Sequence, residues 1–153
     1  VELLVYFPDV ARLEWAYHQV FHAPESEIFN FQKLSLLDEE ASCHLRFELS
    51  SSCYIFSSPY PVLKIWQANQ DDADESEVDL DEGGVQLVVR RLGFDVIFES
   101  LNKEVFALLH TLSKGHLFVE ACEEAVAVDP NCDVGAILKG LIEKRMLTGF
   151  SCT

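Results

Sequence analysis

Residues 84–150 constrain the fold more than any other part of the chain. They read as two strands, three short helices and an extended tail. Val85-Gln86-Leu87-Val88-Val89-Arg90-Arg91 is β-branched and apolar, Leu92-Gly93-Phe94 suits a turn, and residues 95–101 run back. Asn102 is placed to cap a helix with apolar residues at Val105, Phe106, Leu108, Leu109 and Leu112. Lys114-Gly115 stops it. A second helix is expected over 116–128, with Phe118, Ala121, Cys122, Ala125 and Val126 on one face. Asp129-Pro130-Asn131 breaks that helix. Asp133 caps a third, carrying Val134, Ile137, Leu138, Leu141 and Ile142, and residues 146–150 leave it in extended form.

This order is that of a small winged-helix domain, a fold that recognises nucleic acids, peptides or proteins more often than it performs chemistry. Charge weighs between those partners. The 153 residues carry a formal charge of −15, whereas nucleic-acid affinity comes mainly from Lys and Arg on phosphates. Eight of the acids lie in 71–82 (Asp71, Asp72, Asp74, Glu75, Glu77, Asp79, Asp81 and Glu82), with no base among them. The rest of the chain is still acidic, so a nucleic-acid partner is disfavoured.

Upstream, Asp9 after Pro8 predicts a helix start, with Val10, Leu13, Trp15, Ala16, Tyr17, Val20 and Phe21 near helical period and Ala23-Pro24 closing it. A second helix is expected over 26–37. Strands are expected over 44–49, which alternates polar and apolar residues, and over 53–56. Ser57-Ser58-Pro59 is expected to open a helix through Val62, Leu63, Ile65 and Trp66 to about Asn69. The expected class is therefore α+β. N-terminal helices and short strands (1–70) join, through an acidic loop (71–84), a C-terminal winged-helix-like part (85–153). The loop is read as connecting strands of one shared sheet, because the first part alone has few strands to satisfy its edges. No apolar run reaches the length of a membrane span and no signal peptide opens the chain. It starts at Val1 rather than Met, as a fragment or processed form would.

Signatures of chemistry are scarce. Glu14, His18 and His22 share a helix face and could chelate a metal, but a solvated face or interface explains them better, and no metal or catalytic residue is assigned. A metal protein or enzyme using His18 and His22 is the third reading of the chain. Five cysteines, at 43, 53, 122, 132 and 152, lack a Cys-x-x-Cys pair and suit reduced thiols in the cytoplasm. Cys43 and Cys53 are expected to be buried and inert. Phosphate-loop and nucleophile-elbow motifs are absent from the sequence, and no cofactor is expected. The main basic cluster is Arg90, Arg91 and Lys103 with Lys139, Lys144 and Arg145, interrupted by Glu143.

Two resemblances sharpen this. From Leu101 onward, through Phe106 to Gly115 and the closing Ile142-Glu143-Lys144-Arg145-Met146-Leu147-Thr148-Gly149-Phe150, the chain resembles the PqqD-like winged helix that recognises precursor peptides. Over nearly its whole length it resembles the C-terminal domain of the HvfC/BufC-like family, catalogued as a DNA-binding domain. The residues that carry this are Asp9-Val10-Ala11-Arg12-Leu13-Glu14-Trp15-Ala16 with His18 and His22, and Tyr60-Pro61-Val62-Leu63-Lys64-Ile65-Trp66-Gln67-Ala68-Asn69. Members of that family carry another helical domain ahead of this region. They accompany a multinuclear-iron TIM-barrel enzyme that modifies cysteines of a small precursor peptide, in pathways related to bacterial copper-binding bufferins and methanobactin.

The resemblance implies a non-catalytic accessory protein that binds a Cys-rich precursor peptide and the partner enzyme. On this reading a sheet edge or strand–helix groove around Val96 and Phe98 takes the peptide. Arg90, Arg91, Lys139 and Arg145 steer its acidic leader. Trp15, His18, His22, Tyr60 and Trp66 face the enzyme. The competing expectation is a winged-helix transcriptional regulator that binds DNA.

Overall fold

The computed structural model describes residues 3–25, 27–68 and 83–152, with side chains from Val5 onward. Its elements run α1 (Leu3–His22), α2 (Phe31–Ser35), α3 (Glu39–Ser42), β1 (Arg46–Leu49), β2 (Cys53–Ser58) and α4 (Val62–Ala68). After the acidic segment come β3 (Val85–Leu92), β4 (Asp95–Ser100), α5 (Lys103–Ser113), α6 (Phe118–Val128), α7 (Val134–Glu143) and β5 (Leu147–Ser151). The class is α+β, with two small antiparallel sheets: β2-β3-β4, and β1 paired with β5.

The three-stranded sheet is the centre of the molecule, and its strands alternate between two cores. Leu87 and Val89 of β3 and Phe56 of β2 face α1 and α4, where Tyr6, Leu13, Ala16, Val20, Val62 and Ile65 are buried. Val88 faces the other way, into a core with Leu108, Leu109 and Leu112 of α5, Ala121 and Ala125 of α6, and Leu141 and Ile142 of α7. Phe29, Leu45 and Phe47 also belong to this second core. Both sheets and both cores thus draw on residues from either side of segment 71–84. In chain order the acidic segment, together with α4, lies between two strands of one sheet, β2 and β3.

Several elements begin or end elsewhere than expected. Helix α1 begins at Leu3 and runs through Pro8, so Asp9 is not its cap. Tyr6, only 6% exposed, gives the extra turn a buried anchor. The Asp9 carboxylate instead accepts from the Ser58 hydroxyl at 2.6 Å and pairs with Arg12 at 3.3 Å, tying α1 to the end of β2. The helix expected over 26–37 shrinks to the five residues of α2, because the Asn30 side chain caps it by accepting from the Lys33 N–H at 3.1 Å. Asp38 likewise caps α3, accepting from the Ala41 N–H at 2.7 Å. Ser57 and Ser58 prolong β2 opposite Gln86 and Val85, which delays α4 to Val62; the expected end of that helix near Asn69 lies outside the described residues. Helix α6 begins at Phe118 instead of His116.

Two glycines are fixed by geometry. Gly93, at φ +65°, opens the two-residue turn between β3 and β4, where a positive φ suits the strand twist. Gly84 lies against the end of β2: a Cβ there would stand 2.1 Å from the Ser58 carbonyl oxygen and 2.9 Å from Pro59 Cα. Both neighbours are backbone and cannot swing away. Gly84→Ala is expected to cost about 2 kcal/mol, read as a lowered thermal midpoint. An unchanged midpoint would mean that Gly84 and Pro59 are not in contact.

Candidate functional site

Strand β4 is an edge strand, and hydrogen-bond alternation decides which of its groups face outward. The Arg91 N–H donates to the Ser52 carbonyl at 3.2 Å, and the Leu101 N–H to the Gln86 carbonyl at 2.9 Å. The backbone of Arg90 and Val88 therefore pairs with Ile97 and Glu99 on β4. The N–H and C=O groups of Val96, Phe98 and Ser100 point away from β3. Among the described residues no strand pairs with this edge.

Beside it lies a groove of about 240 Å³, lined by Glu99, Ser100 and Leu101, by the start of α5, by Ala136, Ile137, Gly140 and Leu141 of α7, and by Lys144 just after it. The small residues Ala136 and Gly140 leave room for a chain to approach, and nothing lies within 4 Å of where a Gly140 Cβ would stand. Edge and groove together form the surface that β-strand addition requires: main-chain hydrogen bonding on one side and side-chain pockets on the other.

The residues expected to steer an acidic leader divide. Arg90 and Arg91 are adjacent on a strand and so point to opposite faces. The Arg90 side chain, 10% exposed, pairs with Glu99 at 3.1 Å, and Lys144 meets the other oxygen of that carboxylate at 2.9 Å. Burial would raise the Glu99 pKa, but hydrogen bonds from Lys144 and Arg90 outweigh it and hold the carboxyl below its ordinary value. Arg91 reaches the opposite face and donates to the carbonyls of Val20, Phe21 and Ala23, which end α1. Its charge complements the negative end of that helix. Both arginines are therefore held by the fold. Lys139 sits on the exposed face of α7, 3.9 Å from Glu143.

Arg90, Arg91 and Arg145 nevertheless line one pocket of about 830 Å³, together with Lys144, which the leader-steering set omitted. Strand alternation was the signal available for separating Arg90 from Arg91; nothing local could have shown that α7 returns Lys144 to Glu99.

Val96 and Phe98 lie on the α1 side of β4, half-buried against the first core. Phe98 packs on Trp66 at 5.1 Å and on Tyr17 at 6.1 Å. Their backbone, rather than their side chains, belongs to the open edge. Of the residues expected to face an enzyme, Tyr60 and Trp66 are half-buried, while Trp15 is 53% exposed with its ring edge on Tyr54 at 5.6 Å. His18 and His22 are exposed along α1.

Among the described residues no three His, Cys, Asp or Glu side chains are grouped to hold a metal ion. Cys43 is exposed rather than buried. Burial pushes the Cys53 and Cys122 thiols up to about 11, so both stay protonated and weakly nucleophilic at neutral pH. No described helix is long and apolar enough to cross a membrane. Compared with protein-family models, with curated proteins and with solved structures, the chain matches none of them.

Proposed function

We propose that this protein is a non-catalytic peptide-binding module that adds an extended segment of a partner peptide to the outer edge of β4. The observation that carries the reading is the open edge at Val96, Phe98 and Ser100 flanked by the α7 groove. Main-chain pairing there supplies affinity, and Ile137, Leu141 and the gap at Gly140 select side chains. The resemblance to the HvfC/BufC-like family supplies the identity of the peptide: a small Cys-rich precursor, handed in the cytoplasm to a multinuclear-iron enzyme. Trp15, with His18 and His22 on the exposed side of α1, is the surface offered to that enzyme.

The competing DNA-binding reading draws no support from α7. Its Lys139 is 3.9 Å from Glu143, and Lys144, which follows the helix, is paired with Glu99.

The test is a pull-down with the protein as bait from its own cells, with bound peptides and proteins identified by mass spectrometry. It is repeated with Val96→Pro and Ser100→Pro. Proline at these edge positions removes outward N–H groups that β3 does not use, so the sheet tolerates it. Each lost main-chain hydrogen bond is worth roughly 1 kcal/mol, so the double variant is expected to bind the recovered peptide at least about tenfold more weakly. Undiminished binding by the double variant would remove the β4 edge from the mechanism. Recovery of DNA with neither peptide nor enzyme would favour the regulator.

A further inference from the structure

The pocket of about 830 Å³ lies between the end of α1, the start of β2, the β3–β4 turn and the end of α7. Among the described residues its lining carries four cationic side chains, Arg90, Arg91, Lys144 and Arg145, against two acids, Glu25 and Glu143, on a chain whose net charge is −15. Arg90 and Lys144 share Glu99, and Arg91 serves the carbonyls that end α1. Two groups are left over. The Arg90 Nε–H is buried without an acceptor among the described residues. The exposed Arg145 has no hydrogen bond or ion pair from its side chain among the described residues.

The backbone at Arg145 is also unusual. Its N–H donates to the Ile142 carbonyl at 3.0 Å, and the Met146 N–H to the Leu141 carbonyl at 2.9 Å. This is the Schellman arrangement that ends a helix, and the residue in the Arg145 position is ordinarily glycine. Arg145 holds it at φ +60°, a conformation that L side chains adopt only at a cost. The chain therefore keeps a guanidinium at the pocket where the backbone favours no side chain at all.

We propose that this pocket binds a single carboxylate carried by an acidic residue of the partner peptide, with Arg145 as its principal contact. The claim that a peptide carries the carboxylate rests on the peptide reading above; the pocket itself does not depend on the β4 edge. A monoanion fits because most of the positive charge in the lining is already engaged. A phosphate dianion would have to sit with Glu25 and Glu143 while meeting only one cation that is free. The rim indicates the neighbours of the acid: Phe21, Leu92 and Phe94 are 48%, 59% and 97% exposed, and aromatic side chains are common anchors in interfaces. The acid is expected to be flanked by apolar side chains. Lys144 lines both this pocket and the α7 groove, so the two surfaces are neighbours.

The experiment is an NMR titration of the ¹⁵N-labelled 153-residue chain with acetyl-Leu-Glu-Phe-amide, its Glu→Gln counterpart and inorganic phosphate. The Glu peptide is expected to shift the amides of Gly93, Lys144 and Arg145, and the Gln peptide to bind at least tenfold more weakly. Arg145→Gly is expected to keep or raise the thermal midpoint, since it relieves the backbone, while binding of the Glu peptide falls at least tenfold. Ser100→Pro, at the end of β4 away from this pocket, is expected to leave this titration unchanged, which separates the pocket from the edge. Equal binding of the Glu and Gln peptides, stronger binding of phosphate, no shifts at these amides, or full binding by Arg145→Gly would each overturn the proposal. None of those results would bear on strand addition at β4.

Discussion

Replacing Phe47 with alanine is expected to cost about 3–5 kcal/mol, a large share of the stability of a domain this size. Phe47 is 5% exposed. Its ring meets Phe29 at 6.0 Å, Phe118 at 5.2 Å and Phe150 at 6.5 Å, and its backbone lies opposite Phe150 in the β1–β5 pair. These four rings come from the segment before α2, from β1, from the start of α6 and from β5. Removing the central one opens a void that no single element can close by shifting. Urea unfolding followed by circular dichroism measures the change. A loss under about 1 kcal/mol would show that the second core is not built around Phe47.

Glu99→Gln ranks next, at about 2–3 kcal/mol, the order expected for losing a charge-assisted, partly buried ion pair. The carboxylate has one oxygen 3.1 Å from Arg90 and the other 2.9 Å from Lys144. Removing its charge strands the Arg90 guanidinium, whose side chain is 10% exposed, and an uncompensated buried charge is costly. The figure sits below the range for fully buried pairs because Glu99 is itself 27% exposed.

The pH dependence follows from the direction of the Glu99 shift. The folded carboxyl lies below the ordinary value of 4.5. Its stabilisation is therefore complete above 4.5 and is lost as pH falls through the lower, folded value. Between those two values the unfolded chain binds the proton that the folded chain refuses. Wild type is expected to lose stability more steeply than Glu99→Gln on acidification below pH 4.5. Parallel acid-unfolding curves for the two proteins would show that Glu99 does not carry this ion cluster.

Local chemistry made much of the fold legible. β-Branched runs with a glycine turn gave β3 and β4. Asp133, whose side chain accepts from the Ala136 N–H at 3.1 Å, marked the start of α7. The shortfalls arose where tertiary contacts outweighed local signals. Asp9 after Pro8 has the chemistry of a helix start, yet burial of Tyr6 carries α1 past it. Asn30 has the chemistry of a helix cap and serves as one, inside a span whose apolar period suggested continuous helix.

The candidate site was legible in a different measure. Its residue types could be named, but not the partners that consume their charge. Arg90 and Arg91 read as a basic patch only until Glu99 and the end of α1 are brought to them. The open edge depends on strand order, and strand order is set by which distant segments pair. No window of sequence around Val96 contains that information.

The stitching of both sheets across segment 71–84 bears on how this protein can be divided. The β-β-α-α-α unit that follows the segment looks portable in sequence, with its own hairpin and its own helices. Yet excising it would take β2 from one side of β3, β1 from β5, and Phe29, Leu45 and Phe47 from beneath α5 and α6. The leading part would lose in turn Leu87 and Val89, the floor on which α1 rests. Neither part is a heritable module that recombination could move intact. A substitution that loosens α1 is therefore expected to be felt at the open edge of β4 through β3.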